Sequence, residues 1–166
     1  MLMERQFQAI EAVAREACCI DEQRWADWLD LYTEDAVFWL PMWKSATALT
    51  SDPDRELSHI YLQGRSLLEE RVARLASGRS VASVPLPRTA HLVGGHLVHS
   101  HDGGATVELK SAWRSQVYMH KDHECVEYAG RYVHQLVLTD AGYRIREKKI
   151  ILNTTRLISK LDFFYV

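Results

Sequence analysis

The chain has 166 residues, 47% hydrophobic and 25% charged, which suits a single domain (1–166) with a sizeable core. Its 20 Lys and Arg against 22 Asp and Glu give a formal net charge of −2, which excludes a broad basic field for nucleic acid and a charged interaction tail. Cys18, Cys19 and Cys125 make no disulfide framework, and no apolar run has bilayer length. Charges at Glu4, Arg5, Glu11, Arg15 and Glu16 break the N-terminal apolar residues as no signal peptide would, so the expected setting is a reducing cytoplasm.

Phe7, Ile10, Val13, Ala14 and Ala17 recur at helical spacing and predict an amphipathic helix over 4–19. Asp21 reads as the N-cap of a second helix with Trp25, Trp28, Leu29 and Tyr32 on one face. Thr33-Glu34-Asp35 ends that pattern, and Ala36-Val37-Phe38-Trp39-Leu40 reads as a short buried strand stopped by Pro41. Residues 44–56 are polar, with a turn signal or short helix start at Asp52-Pro53. Ser66-x-x-Glu69 has the form of a capping box and predicts a helix to about Ser77, with Gly78 as its left-handed terminator. Residues 79–87, with two prolines, read as a loop.

From Arg88 the pattern changes to strands over 89–99, 105–119, 124–138 and 143–156. Asp102-Gly103-Gly104, His120–His123 and Asp140-Ala141-Gly142 supply the turns between them. The expected class is α+β: N-terminal helices packed on an antiparallel meander whose long strands twist strongly and curve around them.

Eight histidines raise a metal reading. His91 and His96 would face opposite sides of a regular strand and could share no ion, unless Gly94-Gly95 forms a bulge that breaks the parity. His99, His101, His120 and His123 adjoin turns and read as solvated. No cysteine has a histidine two or three residues after it, so the two-Cys, two-His ligand pattern of a Rieske cluster is missing. Nucleotide-binding glycine loops and the Gly-x-Ser-x-Gly nucleophile motif are missing too.

Tyr128, Tyr132 and His134 share strand parity with Val126 and Leu136 and can line an inner face. Together with Asp35 and His91 they make a workable proton-transfer set; the bland reading is that their polar tips are satisfied in a packed core or at an interface. The tryptophans read as core at helix and strand spacing. Trp43, after Pro41, is the exception: it reads as exposed and suited to a subunit contact. Arg65/Glu69 and Glu70/Arg74 read as i,i+4 pairs on a solvated helix face, and arginine is also enriched at interfaces.

Several fragments occur in a specific order: Asp27-x-Leu29-x-x-Tyr32-x-x-Asp35-Ala36, Phe38-Trp39-x-Pro41, Asp52-Pro53-x-x-Glu56-Leu57-Ser58, Gly64-Arg65, Leu68-Glu69-x-Arg71-Val72-x-Arg74-Leu75 and Arg88-Thr89-x-His91-Leu92. Over most of the chain this order resembles the small (β) subunit of aromatic-ring-hydroxylating dioxygenases, the Rieske non-haem iron oxygenases. The Asp-Pro segment, the Pro-x-Trp at 41–43 and the ending Leu161-Asp162-Phe163-Phe164-Tyr165-Val166 look most like the branch acting on benzoate, anthranilate and related aromatic carboxylates.

The resemblance implies the cone-shaped fold of nuclear transport factor 2 and ketosteroid isomerase. It implies a structural subunit with no catalytic residue, cofactor or metal of its own. A large (α) subunit would carry the 2Fe–2S Rieske cluster and the mononuclear iron and form aromatic cis-diols, with the small chain as a β trimer inside an α3β3 hexamer. Candidates for subunit contact are Trp43, Arg65, Arg74, Arg88, His91, Phe163 and Tyr165. The alternative within the same fold is a stand-alone isomerase or dehydratase using a pocket Asp/His pair from Asp35, His91, Tyr128 and His134. A small-molecule-binding accessory domain is the third reading.

Overall fold

Helix α1 (Leu2–Asp21) turns Ala9, Ala12, Val13, Glu16, Ala17, Cys19 and Ile20 inward. In this computed structural model, which describes residues 1–78, 84–157 and 160–166, the other elements are α2 (Trp25–Asp30), β1 (Tyr32–Pro41), β2 (Ser58–Gln63), α3 (Arg65–Ala76), β3 (Arg88–His101), β4 (Thr106–Met119), β5 (Glu124–Thr139) and β6 (Gly142–Leu152). Asp21 closes α1 and does not cap α2, which starts after Arg24 without a side-chain cap. Its carboxylate is taken instead by β3, through Thr89 and His91. Tyr32, expected on the second helix, opens β1.

The capping box at Ser66 is not formed. Gly64, at φ +97°, precedes α3, and Glu69 accepts from Arg65 Nε at 3.1 Å. Gly78 does take the left-handed conformation, at φ +62°. Asp52-Pro53 is a turn: Asp54 N–H donates to the Asp52 side chain, and Glu56 accepts from the N–H groups of Ser51 and Asp52. Of the loop expected over 79–87, residues 79–83 lie outside the described residues.

The six strands form one sheet in the order β2-β1-β6-β5-β4-β3. β3 to β6 pair antiparallel as a meander, but β1 runs parallel to β6. This corrects the expectation of an antiparallel sheet curved strongly into a cone. The sheet is mixed and open, neither closed nor strongly curled, and β2 and β3 stand at opposite edges. Alternation and strand length carry no information about direction, and β1 and β6 lie far apart in the chain, with β2 to β5 between them. Closure would need the two edges to pair, and a six-residue β2 is too short to complete a ring with a fourteen-residue β3. β2 itself, with Ile60 and Leu62 facing inward, is a sixth strand absent from the expected set.

Between α1 and the sheet lies an aromatic core. Trp28 packs on Tyr32, Phe38 and Phe163, with ring centroids 5.0, 6.4 and 5.3 Å away. Trp113 stacks on Tyr132 at 5.0 Å. The C-terminal turn Phe163–Tyr165 plugs this core, its three side chains buried. Each such ring removed from water contributes roughly 1.5–3 kcal/mol.

Candidate functional site

The apolar stripe of α1 contains one carboxylate, Glu16, and it is buried. Its Oε1 accepts from Trp28 Nε1 (3.2 Å), Tyr32 OH (2.7 Å) and Lys148 Nζ (2.9 Å). Its Oε2 lies 3.7 Å from His134 Nε2. Burial alone would raise the Glu16 carboxyl, but the charge of Lys148, the neighbouring His134 imidazole and the bond from Lys148 outweigh it and hold the group far below the usual carboxylate range. Burial lowers Lys148 and Glu16 opposes the shift. Burial also lowers His134, which is therefore neutral at pH 7, and raises Tyr32 and Tyr132 well above the ordinary phenol. The Lys148 ammonium sits 4.4 Å from the centre of the Tyr132 ring and 5.5 Å from that of Phe38.

A second acid–histidine pair ties the end of α1 to β3. Asp21 Oδ1 is 2.6 Å from His91 Nδ1 and accepts from Thr89 Oγ1 at 2.8 Å, and Oδ2 accepts from the His91 N–H at 2.8 Å. Burial pushes Asp21 up, but the bonds and charge of His91 overcome it and leave the carboxyl lowered. Asp21→Ala removes three bonds to one carboxylate and should cost about 2–3 kcal/mol, read as a lower urea midpoint at unchanged slope.

The proton-transfer set expected from sequence is not brought together. Asp35 is exposed on β1 and accepts from Thr33 Oγ1. His134 and Tyr132 are sealed inside the Glu16 network, Tyr128 stacks on Tyr165 at 6.2 Å, and the His91 side chain is 1% exposed against Asp21. The acid that does sit beside His134 is Glu16, which the sequence reading counted only as an interrupting charge. Its signal was available: Glu16 continues the series 9, 13, 20 on one helical face.

Of the subunit-contact candidates, Arg74 and Arg88 are exposed. Arg65 is partly covered, 3.0 Å from Asp30. Trp43 is half-buried, its indole N–H donating to the Leu152 carbonyl at 2.7 Å. His91, Phe163 and Tyr165 point into the interior. Leu92, 74% exposed, lines a groove of about 320 Å³ together with Val93, Gly94, Ala112, Trp113 and Arg114, and Leu97 on the same strand is 53% exposed.

The described side chains do not fit an iron–sulfur cluster or a mononuclear iron. Cys18 and Cys125 are exposed on different elements, Cys19 is buried in α1, and among the described residues no group of three or more His, Cys, Asp or Glu is placed to hold a metal. No described helix is long and apolar enough to cross a membrane.

Residues 15–159 match the family described as ring hydroxylating beta subunit. The chain is 35% identical to the 2-halobenzoate 1,2-dioxygenase small subunit of Burkholderia cepacia over 96% of this chain and 95% of that one. It is 33% identical to the anthranilate 1,2-dioxygenase small subunit of Acinetobacter baylyi over the full length of both. The crystal structure of the benzoate 1,2-dioxygenase beta subunit of Burkholderia mallei superposes with a TM-score of 0.76 at 29% identity, covering 95% of each chain. The chain belongs to the ring-hydroxylating dioxygenase β-subunit family, on its benzoate and anthranilate side.

Proposed function

We propose that this chain is the structural and assembly subunit of a multicomponent dioxygenase acting on an aromatic carboxylate. The observation that carries the reading is the full-length likeness to small subunits of dioxygenases named for 2-halobenzoate and anthranilate. The interior supports it, because Glu16 and Lys148, and Asp21 and His91, are spent on one another.

On this reading the partner is the large subunit, which holds the 2Fe–2S cluster and the mononuclear iron and forms the cis-diol. Residues 1–166 act as one domain, assembled as a β trimer within an α3β3 hexamer in the cytoplasm. The three free cysteines suit a reducing compartment. Arg74, Arg88 and Trp43 are the contact candidates whose side chains reach the surface at least in part.

Co-expression with the large chain tests the proposal. The expected result is an equimolar complex with iron only in the larger chain and diol formation from a benzoate. A homodimer that binds no large chain, or turnover by this chain alone, overturns it. Within the complex, Arg88→Glu should weaken association roughly ten-fold or more, while far-UV circular dichroism of the isolated subunit stays unchanged.

A further inference from the structure

The inner face of β3, β4 and β5 carries buried polar atoms that no described residue pairs. They are Nε2 of His91 and of His96, Oγ of Ser100 and of Ser111, Nε1 of Trp113 and both ring nitrogens of His134. The register collects them. Between Gly94 and Leu97 the β3–β4 pairing shifts, with Gly95 at φ +63°. This bulge adds one residue and turns His96 to the same side as His91. Ser111 and Trp113 are inward neighbours on β4, Tyr132 lies opposite Ser111, and His134 follows it on β5 opposite Leu109.

A buried donor or acceptor without a partner costs about 1–3 kcal/mol, and native interiors pair nearly all such groups. Pairing this set calls for a species from outside the described residues, and its chemistry can be read from what the set demands. Trp113 Nε1 only donates, which excludes a cation. Nδ1 of His91 is taken by the Asp21 carboxylate, which leaves Nε2 turned toward the set, and that carboxylate disfavours an anion beside it. The serines and neutral His134 do both. Of the other charges near the set, Glu16 and Lys148 compensate each other. The occupant is thus neutral, small, and both donor and acceptor.

We propose that the face of β3–β5 beneath α1 is an internal hydration site, in which ordered waters bridge His96, Ser111, Trp113 and His134 and reach His91 and Ser100. At about three hydrogen bonds per buried water, the seven atoms call for roughly two or three molecules. The site accounts for three histidines in the core of a chain whose described residues hold no metal-binding group. It stands independently of the oxygenase assignment.

A crystal structure of the intact subunit at about 1.5 Å, with Trp113→Phe and Ser111→Ala, tests it. Expected are water peaks about 2.7–3.2 Å from Trp113 Nε1 and from at least one of His96 and His134. Trp113→Phe, which keeps the stack on Tyr132, should lose the water it anchors, and both variants should unfold at lower urea than the parent. Three outcomes overturn the proposal. The histidines and serines could be rotated into bonds with one another. The region could be dry, with either variant raising the urea midpoint by removing an unpaired group. The density could belong to an organic molecule larger than water.

Discussion

Gly130→Ala should prevent the sheet from forming its native β5–β6 pairing, with a stability loss of at least about 3 kcal/mol, the upper end of what overpacking costs. A Cβ on residue 130 would lie 1.9 Å from the Ile151 carbonyl oxygen, 2.9 Å from its carbon and 3.2 Å from Leu152 Cα. All three are backbone atoms, so no side-chain rotation relieves the contact. Retreat of β6 is blocked on its far side by β1, which pairs with it through Val37, Phe38 and Trp39. The end of β6 is also held to β5 by the Asn153 N–H on the Ala129 carbonyl. Gly130 faces Trp113 across the β4–β5 pair, and Trp113 stacks on Tyr132 two residues along. The check is soluble yield and urea midpoint against Gly94→Ala. There the added methyl meets nothing within 4 Å, and a change within about 0.5 kcal/mol is expected. Equal midpoints for the two variants would mean that the β6 terminus moves freely, contrary to this account.

The parts legible in the sequence were those with long, uniform periodicity. The first helix and the four strands of the meander fell within a few residues of their observed ends, because 3.6- and 2-residue repeats over ten or more positions leave little ambiguity. β2 was passed over because His59-Ile60-Tyr61-Leu62 is short and follows a polar turn. The parallel β1–β6 pairing was not legible at all. Strand direction depends on which neighbour the strand joins in the sheet, not on residue pattern. Local signals misled where a tertiary partner outbid them: Asp21 looks like a helix cap, but β3 offers it three donors. Parity placed His91 and His96 on opposite faces, and the Gly94-Gly95 bulge reversed that, which the two glycines had flagged as the one way it could happen. The core acid was misread for a different reason. Asp35 ends an element and attracted attention, whereas Glu16 sits mid-helix among charges of similar appearance, and only its place on the apolar stripe separates it from Glu11 or Arg15.

Glu16→Gln should cost about 3–5 kcal/mol, the range for removing one partner of a buried ion pair. The loss is larger than the missing bond because Lys148 stays behind, buried between the faces of Phe38 and Tyr132 with no anion. Lys148→Met should cost less, since Glu16 keeps the Tyr32 hydroxyl and the Trp28 N–H. The double variant should recover part of the Glu16→Gln loss, giving a coupling that a double-mutant cycle reads directly. The pH dependence has a defined sign. A carboxyl lowered on folding contributes stability that is fully present above its ordinary value near 4.5 and is lost as pH falls through the folded value. His134 acts at higher pH: its folded value is depressed from 6.5, so the unfolded chain takes up the proton first and stability starts to fall as pH drops below that point. The parent should therefore weaken in two stages on the acid side, and the lower one should be smaller in Glu16→Gln. Subtracting the two urea-stability curves removes the other carboxylates, including Asp21. A difference that shrinks steadily below pH 4.5 identifies Glu16 as the acid-sensitive tie between α1 and the sheet. A difference that does not change with pH would mean that Glu16 is already protonated in the folded subunit.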